Sequence, residues 1–144
     1  MSVFVENEQL TDMKFYVKSD DSGVNVLTQE QVSKLPSSQR SDYEECHVFI
    51  RPLTWGASCD LQSQSMAFDM NSGHRYFDTD SYVRHKMKAI IGAWSFTTVA
   101  PNGESVPVPV SEEAIDRLHP AVADFILKQY NERFEMTEKD RKNS

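Results

Sequence analysis

One spacing constrains this chain more than any other feature. Val83, Met87, Ile90, Ile91 and Trp94 fall at offsets 0, 4, 7, 8 and 11, which places them on a single helical face. Arg84, His85, Lys86 and Lys88 take intervening positions, as on a helix with one buried side. Asp78, Thr79 and Asp80 precede the pattern and offer an N-cap and negative charge for its first turn. The spacing predicts a helix from about Ser81 to Trp94, broken by Thr97, Thr98 and Val99. A helix with an apolar face of this length must bury it, against the rest of this chain or against another.

Two further helical stretches flank it. Thr54 can cap a helix running towards Met70, with a thin stripe of Trp55, Leu61 and Phe68 padded by Ala57, Cys59 and Met66; Asn71-Ser72-Gly73 stops it. Pro101-Asn102-Gly103 is a turn, and the alternating prolines of Val106-Pro107-Val108-Pro109-Val110 enforce an extended backbone. Ser111 then caps a helix that begins Glu112-Glu113, with Val110 and Ile115 in the hydrophobic-staple positions. Pro120 either kinks this helix or starts another, whose stripe is Val122, Phe125, Ile126 and Tyr130, extended by Phe134.

The first third has β character. Lys14 to Val17 and Val24 to Leu27 are strand-like segments around the turn residues Asp20-Asp21-Ser22-Gly23. Thr28 to Asp42 reads as a loop with a short helical turn begun by Thr28, and Cys46 to Arg51 as a strand ended by Pro52. The expected fold class is therefore α+β, mainly α. A β-like portion at 1–52 and a helical portion at 53–135 form one domain over residues 1–135, with a polar flexible tail at 136–144.

The 144 residues suffice for one real core. Net charge is −7, with the acidic excess mainly in the first fifty residues, which disfavours phosphate backbones and anionic lipid as partners. The mixed-charge tail around Lys139, Arg141 and Lys142 makes no basic cluster. No apolar run approaches a membrane span, and MSVFVENEQLTD lacks the positive region of a signal peptide. Cys46 and Cys59 read as two reduced thiols.

Chemistry finds little support in the residue pattern. His47, His74, His85 and His119 include no pair at i, i+3 or i, i+4 spacing. Asp69, Asn71 and Asp80 fit positions 1, 3 and 12 of a calcium loop, but position 6 is His74 rather than glycine and position 12 is Asp rather than Glu. A turn between two helices with capping aspartates accounts for the same residues. Cys46 beside His47 suggests a nucleophile and base, yet neighbours on a strand point to opposite faces. Glu44-Glu45 and Glu112-Glu113 read as a solvated edge and a helix start, and no phosphate-binding glycine loop or hydrolase motif is present. The expectation is a non-enzymatic protein without catalytic residues, metal or cofactor; an enzyme would instead require a polar pocket around His74, Asp78 and His85.

Arg51-Pro52-Leu53-Thr54-Trp55-Gly56 resembles the opening motif of phage tail assembly chaperones. Ile90 to Val110, with Trp94, the Asn102-Gly103-Glu104 turn and the Val-Pro-Val run, is similar to that family too, as is the acidic-led helix from Ser111 to Pro120. The resemblance covers roughly Val48 to Tyr130. It implies a mostly helical protein of the host cytoplasm that binds the tape measure protein and assists assembly of the tail tube protein, with no catalytic residues. A homo-oligomer is compatible with it; nucleic acid and membrane are not expected partners. The alternative is a structural virion component of the tail terminator or head–tail connector type. Either role needs exposed apolar surface, for which Trp55, Phe68, Tyr76, Phe77, Phe125, Tyr130 and Phe134 are candidates. Trp55, Tyr130 and Phe134, near helix ends, are the partner-binding residues expected.

Overall fold

The computed structural model describes residues 9–134; the tail expected at 136–144 lies outside them. In chain order the elements are β1 (Thr11–Asp20), β2 (Gly23–Leu27), α1 (Gln29–Ser33), α2 (Ser37–Arg40), β3 (Glu44–Ile50), α3 (Trp55–Gln64), β4 (Met66–Phe68) and β5 (Arg75–Phe77). They continue with α4 (Thr79–Ile90), β6 (Ile91–Trp94), β7 (Thr97–Val99), β8 (Ser105–Pro107), α5 (Glu112–Asp116) and α6 (Pro120–Phe134).

A four-stranded antiparallel sheet in the order β2-β1-β3-β6 organises the fold. The β1–β2 hairpin turns at Gly23, whose φ of 127° suits glycine. Period-two alternation sends Met13 and Phe15 of β1 and Cys46, Val48 and Ile50 of β3 to one face. That face packs on Met87 and Ile90 of α4, Ile115 of α5 and Val122, Ile126 and Tyr130 of α6. The Phe15 ring sits 5.3 Å from Phe125 and 6.2 Å from Phe96, so strand, helix and linker meet on one aromatic contact. On the other face Lys14 pairs with Glu45 at 2.8 Å, and His47 Nδ1 lies 3.0 Å from both carboxylate oxygens of Asp12.

The caps expected from sequence form. Thr28, Thr54, Asp78 and Ser111 each accept a backbone N–H from the third residue onward, and Thr28 and Gln31 complete a capping box. Val110 and Ile115 join the same core, as a staple requires. Pro120 is the first residue of α6, where its missing N–H costs nothing.

The expectation of a mainly α protein is overturned. The fold holds 40% helix and 30% strand, and strands recur through the part expected to be helical. Two segments account for this. The helix expected to reach Trp94 ends at Ile90, and Ile91–Trp94 becomes β6. Ile91 pairs with Ile50 and Trp94 with Val48, across a register shift between Phe49 and Ile50. Both partners face the core, so the irregularity turns Ile91 and Trp94 to the same side and mimics a helical i, i+3 step. Burying β3 requires hydrogen bonds for its second edge, and β6 supplies them. Gly92 lets Leu10 cross closely: a Cβ there would stand 2.6 Å from the leucine's Cδ2.

Likewise, the helix expected to reach Met70 stops at Gln64. Met66–Phe68 pairs with Arg75–Phe77 as a separate hairpin. Thr97–Val99 and Ser105–Pro107 form a third small sheet around the expected turn, where Gly103 has φ 85°. Lys86, expected on a polar face, is 2% exposed. Its ammonium donates to Asn131 Oδ1 at 2.9 Å and lies 5.6 and 5.4 Å from the Tyr82 and Tyr130 ring centres.

Candidate partner-binding surface

The apolar groups left outside the core are concentrated in one part of the sequence. Trp55, the first residue of α3, is 85% exposed because Thr54 caps the helix ahead of it and only Leu61 of α3 is buried. At the other end of α3, Ser65 accepts the Asp78 N–H at 2.8 Å through its carbonyl and anchors the base of the β4–β5 hairpin. Met66, Phe68, Arg75 and Phe77 share one face of that hairpin, because directly paired residues lie on the same side. Tyr76 projects from the other. Met66, Phe68, Met70, Tyr76 and Phe77 are all substantially exposed, Met70 the most. Phe77 makes a ring contact with Tyr82 at 5.3 Å, which ties the hairpin's base to α4.

The hairpin loop is held by its own polar groups. Asp69 donates its backbone N–H to His74 O at 2.9 Å, and its carboxylate accepts the Asn71 N–H at 2.9 Å. Hydrogen bonds from Asn71 and Ser72 keep the Asp69 carboxyl below the usual aspartate range. Asp69 and Asn71 belong to the calcium-loop pattern and here close a turn, while Asp78, two residues before Asp80, caps α4 by accepting the Ser81 N–H. Among the described residues no group of three or more His, Cys, Asp or Glu side chains is placed to hold a metal.

The three residues expected to bind a partner separate. Trp55 is open to solvent. Tyr130 is 2% exposed and belongs to the core, its hydroxyl accepting the Leu53 N–H at 3.0 Å. The α6 stripe points it inward along with Val122 and Ile126, so its ring offers no surface to a partner. Phe134 is half-buried against Tyr130, ring centres 5.0 Å apart. Met66 and Met70 were not singled out from sequence. The signal for them was present: Met-Ala-Phe and Arg-Tyr-Phe flank an Asn-Ser-Gly turn, a hairpin pattern obscured by the helical reading of the first strand.

Cys46 and His47 lie on opposite faces of β3. Burial, with Glu44 and Glu45 nearby, pushes the Cys46 thiol up to about 11, so it is a poor nucleophile. His85 Nδ1 is 3.3 Å from Ser81 Oγ, a local contact one helical turn away. A cavity of about 830 Å³ lies elsewhere, between β3, the β6–β7 segment and the α5–α6 junction; Trp94, Phe96, Val108, Leu118 and Val122 contribute its apolar lining.

No helix among the described residues is long and apolar enough to cross a membrane. Comparison with protein-family models, curated proteins and solved structures finds no match to this chain.

Proposed function

We propose that this chain is a non-enzymatic phage tail assembly chaperone, which binds the tape measure protein and assists tail tube assembly in the host cytoplasm. The observation that carries the reading is the apolar surface of Trp55 and the β4–β5 hairpin, within the stretch that resembles the family. Six large apolar side chains, Trp55, Met66, Phe68, Met70, Tyr76 and Phe77, stand in water at 45% exposure or more. An isolated three-residue hairpin gains little by holding such side chains outside the core, and a partner that covers them recovers their burial free energy. Methionine and aromatic groups adapt to irregular partner surfaces.

Co-expression with the tape measure protein tests the reading directly. The two proteins co-purify, and Trp55→Ala with Phe68→Ala abolishes the complex while leaving the fold intact. Failure of the unaltered chain to co-purify overturns the proposal. Mass spectrometry of mature virions separates it from a tail terminator or connector: the chaperone is absent from purified particles.

A further inference from the structure

The β3–β6 ladder stops with the end of β6 at Trp94 while β3 runs on to Glu44, and the split beyond opens onto the 830 Å³ cavity. Phe49 pairs with Ala93 and Val48 with Trp94. One step further, Ser95 donates its N–H to His47 O at 2.9 Å. The reciprocal bond is missing from the backbone: the His47 N–H goes instead to the Ser95 hydroxyl, also at 2.9 Å. In the same register the next hydrogen-bonded pair would be Glu45 with Thr97, and those residues do not pair. The chain has turned away, with Phe96 O accepting the Val108 N–H and Trp94 Nε1 donating to Val108 O at 2.6 Å.

Strand alternation fixes what this leaves. N–H and C=O of one residue point to the same side of an antiparallel strand, and residues two apart share that side. Glu45 therefore directs its backbone groups as His47 does, away from β1 and into the split. Thr97 directs its own away from β8, because its neighbour Phe96 accepts from Val108, the residue that follows that strand. Neither residue has a backbone partner across the split among the described residues. The cavity between these edges is floored by Val17, Cys46, Trp94, Phe96 and Val122. Glu44, Glu45, Glu113, Arg117 and His119 also line it, with Arg117 4.0 Å from Glu113. Glu45 is paired with Lys14, and Glu44 has no ion-pair partner among the described residues.

We infer that the split between β3 and the β6–β7 segment is a docking groove for an extended segment of a partner protein, with alternating apolar side chains and a flanking lysine or arginine. The groove stands apart from the surface of Trp55 and the β4–β5 hairpin and does not depend on the chaperone reading. Backbone groups on both edges require an extended chain, since a helix satisfies its own. The apolar floor takes every second side chain. Glu44 favours a cation at the mouth. Residues 1–8 of this chain carry Glu6 and Glu8 and neither lysine nor arginine, so their charge does not match that of Glu44.

The test uses the full chain and a synthetic heptapeptide that alternates valine and threonine between terminal lysines. Amide hydrogen exchange by NMR is followed at Glu45 and Thr97. Saturating peptide slows exchange at both amides by at least about tenfold. Glu45→Pro removes the backbone donor that faces the split without breaking a ladder bond to β1, because Glu45 and Tyr16 form a non-hydrogen-bonded pair. It weakens peptide binding at least about tenfold relative to Glu45→Ala, which controls for the lost carboxylate. Unchanged exchange at Glu45 under saturating peptide overturns the inference without any variant. So does protection already present in the dilute protein alone, which means that the ladder closes or the chain fills its own groove. Protection that rises with protein concentration in the absence of peptide assigns the groove to a second copy and equally overturns it.

Discussion

The backbone N–H of Leu53 donates to the phenol oxygen of Tyr130 at 3.0 Å, a bond between residues 77 apart in the chain. Leu53 follows Pro52 at the exit of β3, and Tyr130 lies in the last turns of α6. The bond fastens the helix to the segment that launches α3, two residues before Trp55. Tyr130→Phe keeps the ring and orphans the Leu53 donor, so it costs about 1–2 kcal/mol. Tyr130→Ala also empties a core position and costs about 3–5 kcal/mol. Urea denaturation of the two variants measures both, and equal losses would contradict the separate role of the hydroxyl.

Trp55 is the opposite case. It is 85% exposed, so Trp55→Ala changes stability by less than about 0.5 kcal/mol in the isolated protein. Its effect appears in the complex, as weaker co-purification with the tape measure protein. A large drop in thermal stability of the free variant would place the indole in the fold's own packing.

Trp94 holds the β8 segment through its indole N–H, which meets Val108 O at 2.6 Å. Trp94→Phe loses that bond and strands the carbonyl, at a cost of about 1–2 kcal/mol. The same variant releases the strap that keeps Phe96 to Val108 away from β3. Amide exchange at Val108 therefore quickens, read by the same NMR measurement.

Acid weakens the α4–α5 contact. Asp116 accepts from Arg84 at 3.3 Å and from Lys88 at 3.2 Å, and these hydrogen bonds lower its pKa below the ordinary 3.8. A carboxyl whose folded-state pKa is depressed contributes stability above its unfolded value and loses it as pH falls through the folded one. Stability accordingly declines as pH drops below about 3.8, and Asp116→Asn removes part of that decline. Denaturation midpoints of both proteins across pH 2–6 supply the check; parallel curves would contradict it.

The two thiols differ in reactivity. Cys59 is exposed, whereas Cys46 is buried and its thiol is pushed up to about 11. An aromatic disulfide reagent at pH 8 modifies Cys59 in the folded protein and reaches Cys46 only on unfolding. Two fast equivalents would contradict the burial of Cys46.

Local chemistry was legible where the responsible groups are neighbours in sequence. A capping side chain reaches a backbone N–H three residues away, so Thr28, Thr54, Asp78 and Ser111 declared their helices without knowledge of the fold. The turns at Gly23 and Gly103 were readable for the same reason, whereas Pro120 could kink a helix or start one, and the fold makes it the start of α6. Alternation likewise predicted that Cys46 and His47 would part, and they do. The surface candidates fared unevenly: a stripe on α6 identified Tyr130 as apolar, but only packing showed that the stripe faces inward.

Tertiary structure alone decided where helices yield to strands. Ile91 and Trp94 are compatible by spacing with a helix or with an irregular strand, and the three-residue step is the same in both. The unpaired edge of β3, more than forty positions earlier in the chain, settles the matter, because its buried backbone groups need hydrogen bonds that a longer α4 would not give. Once Ile91–Trp94 is drawn into the sheet, Ser95 caps His47 and the ladder opens at Glu45 and Thr97. The amphipathic spacing by itself determined that Val83, Met87 and Ile90 would lie on one helix face. Non-local hydrogen bonding, invisible to any local pattern, ended that helix and created the groove beside it.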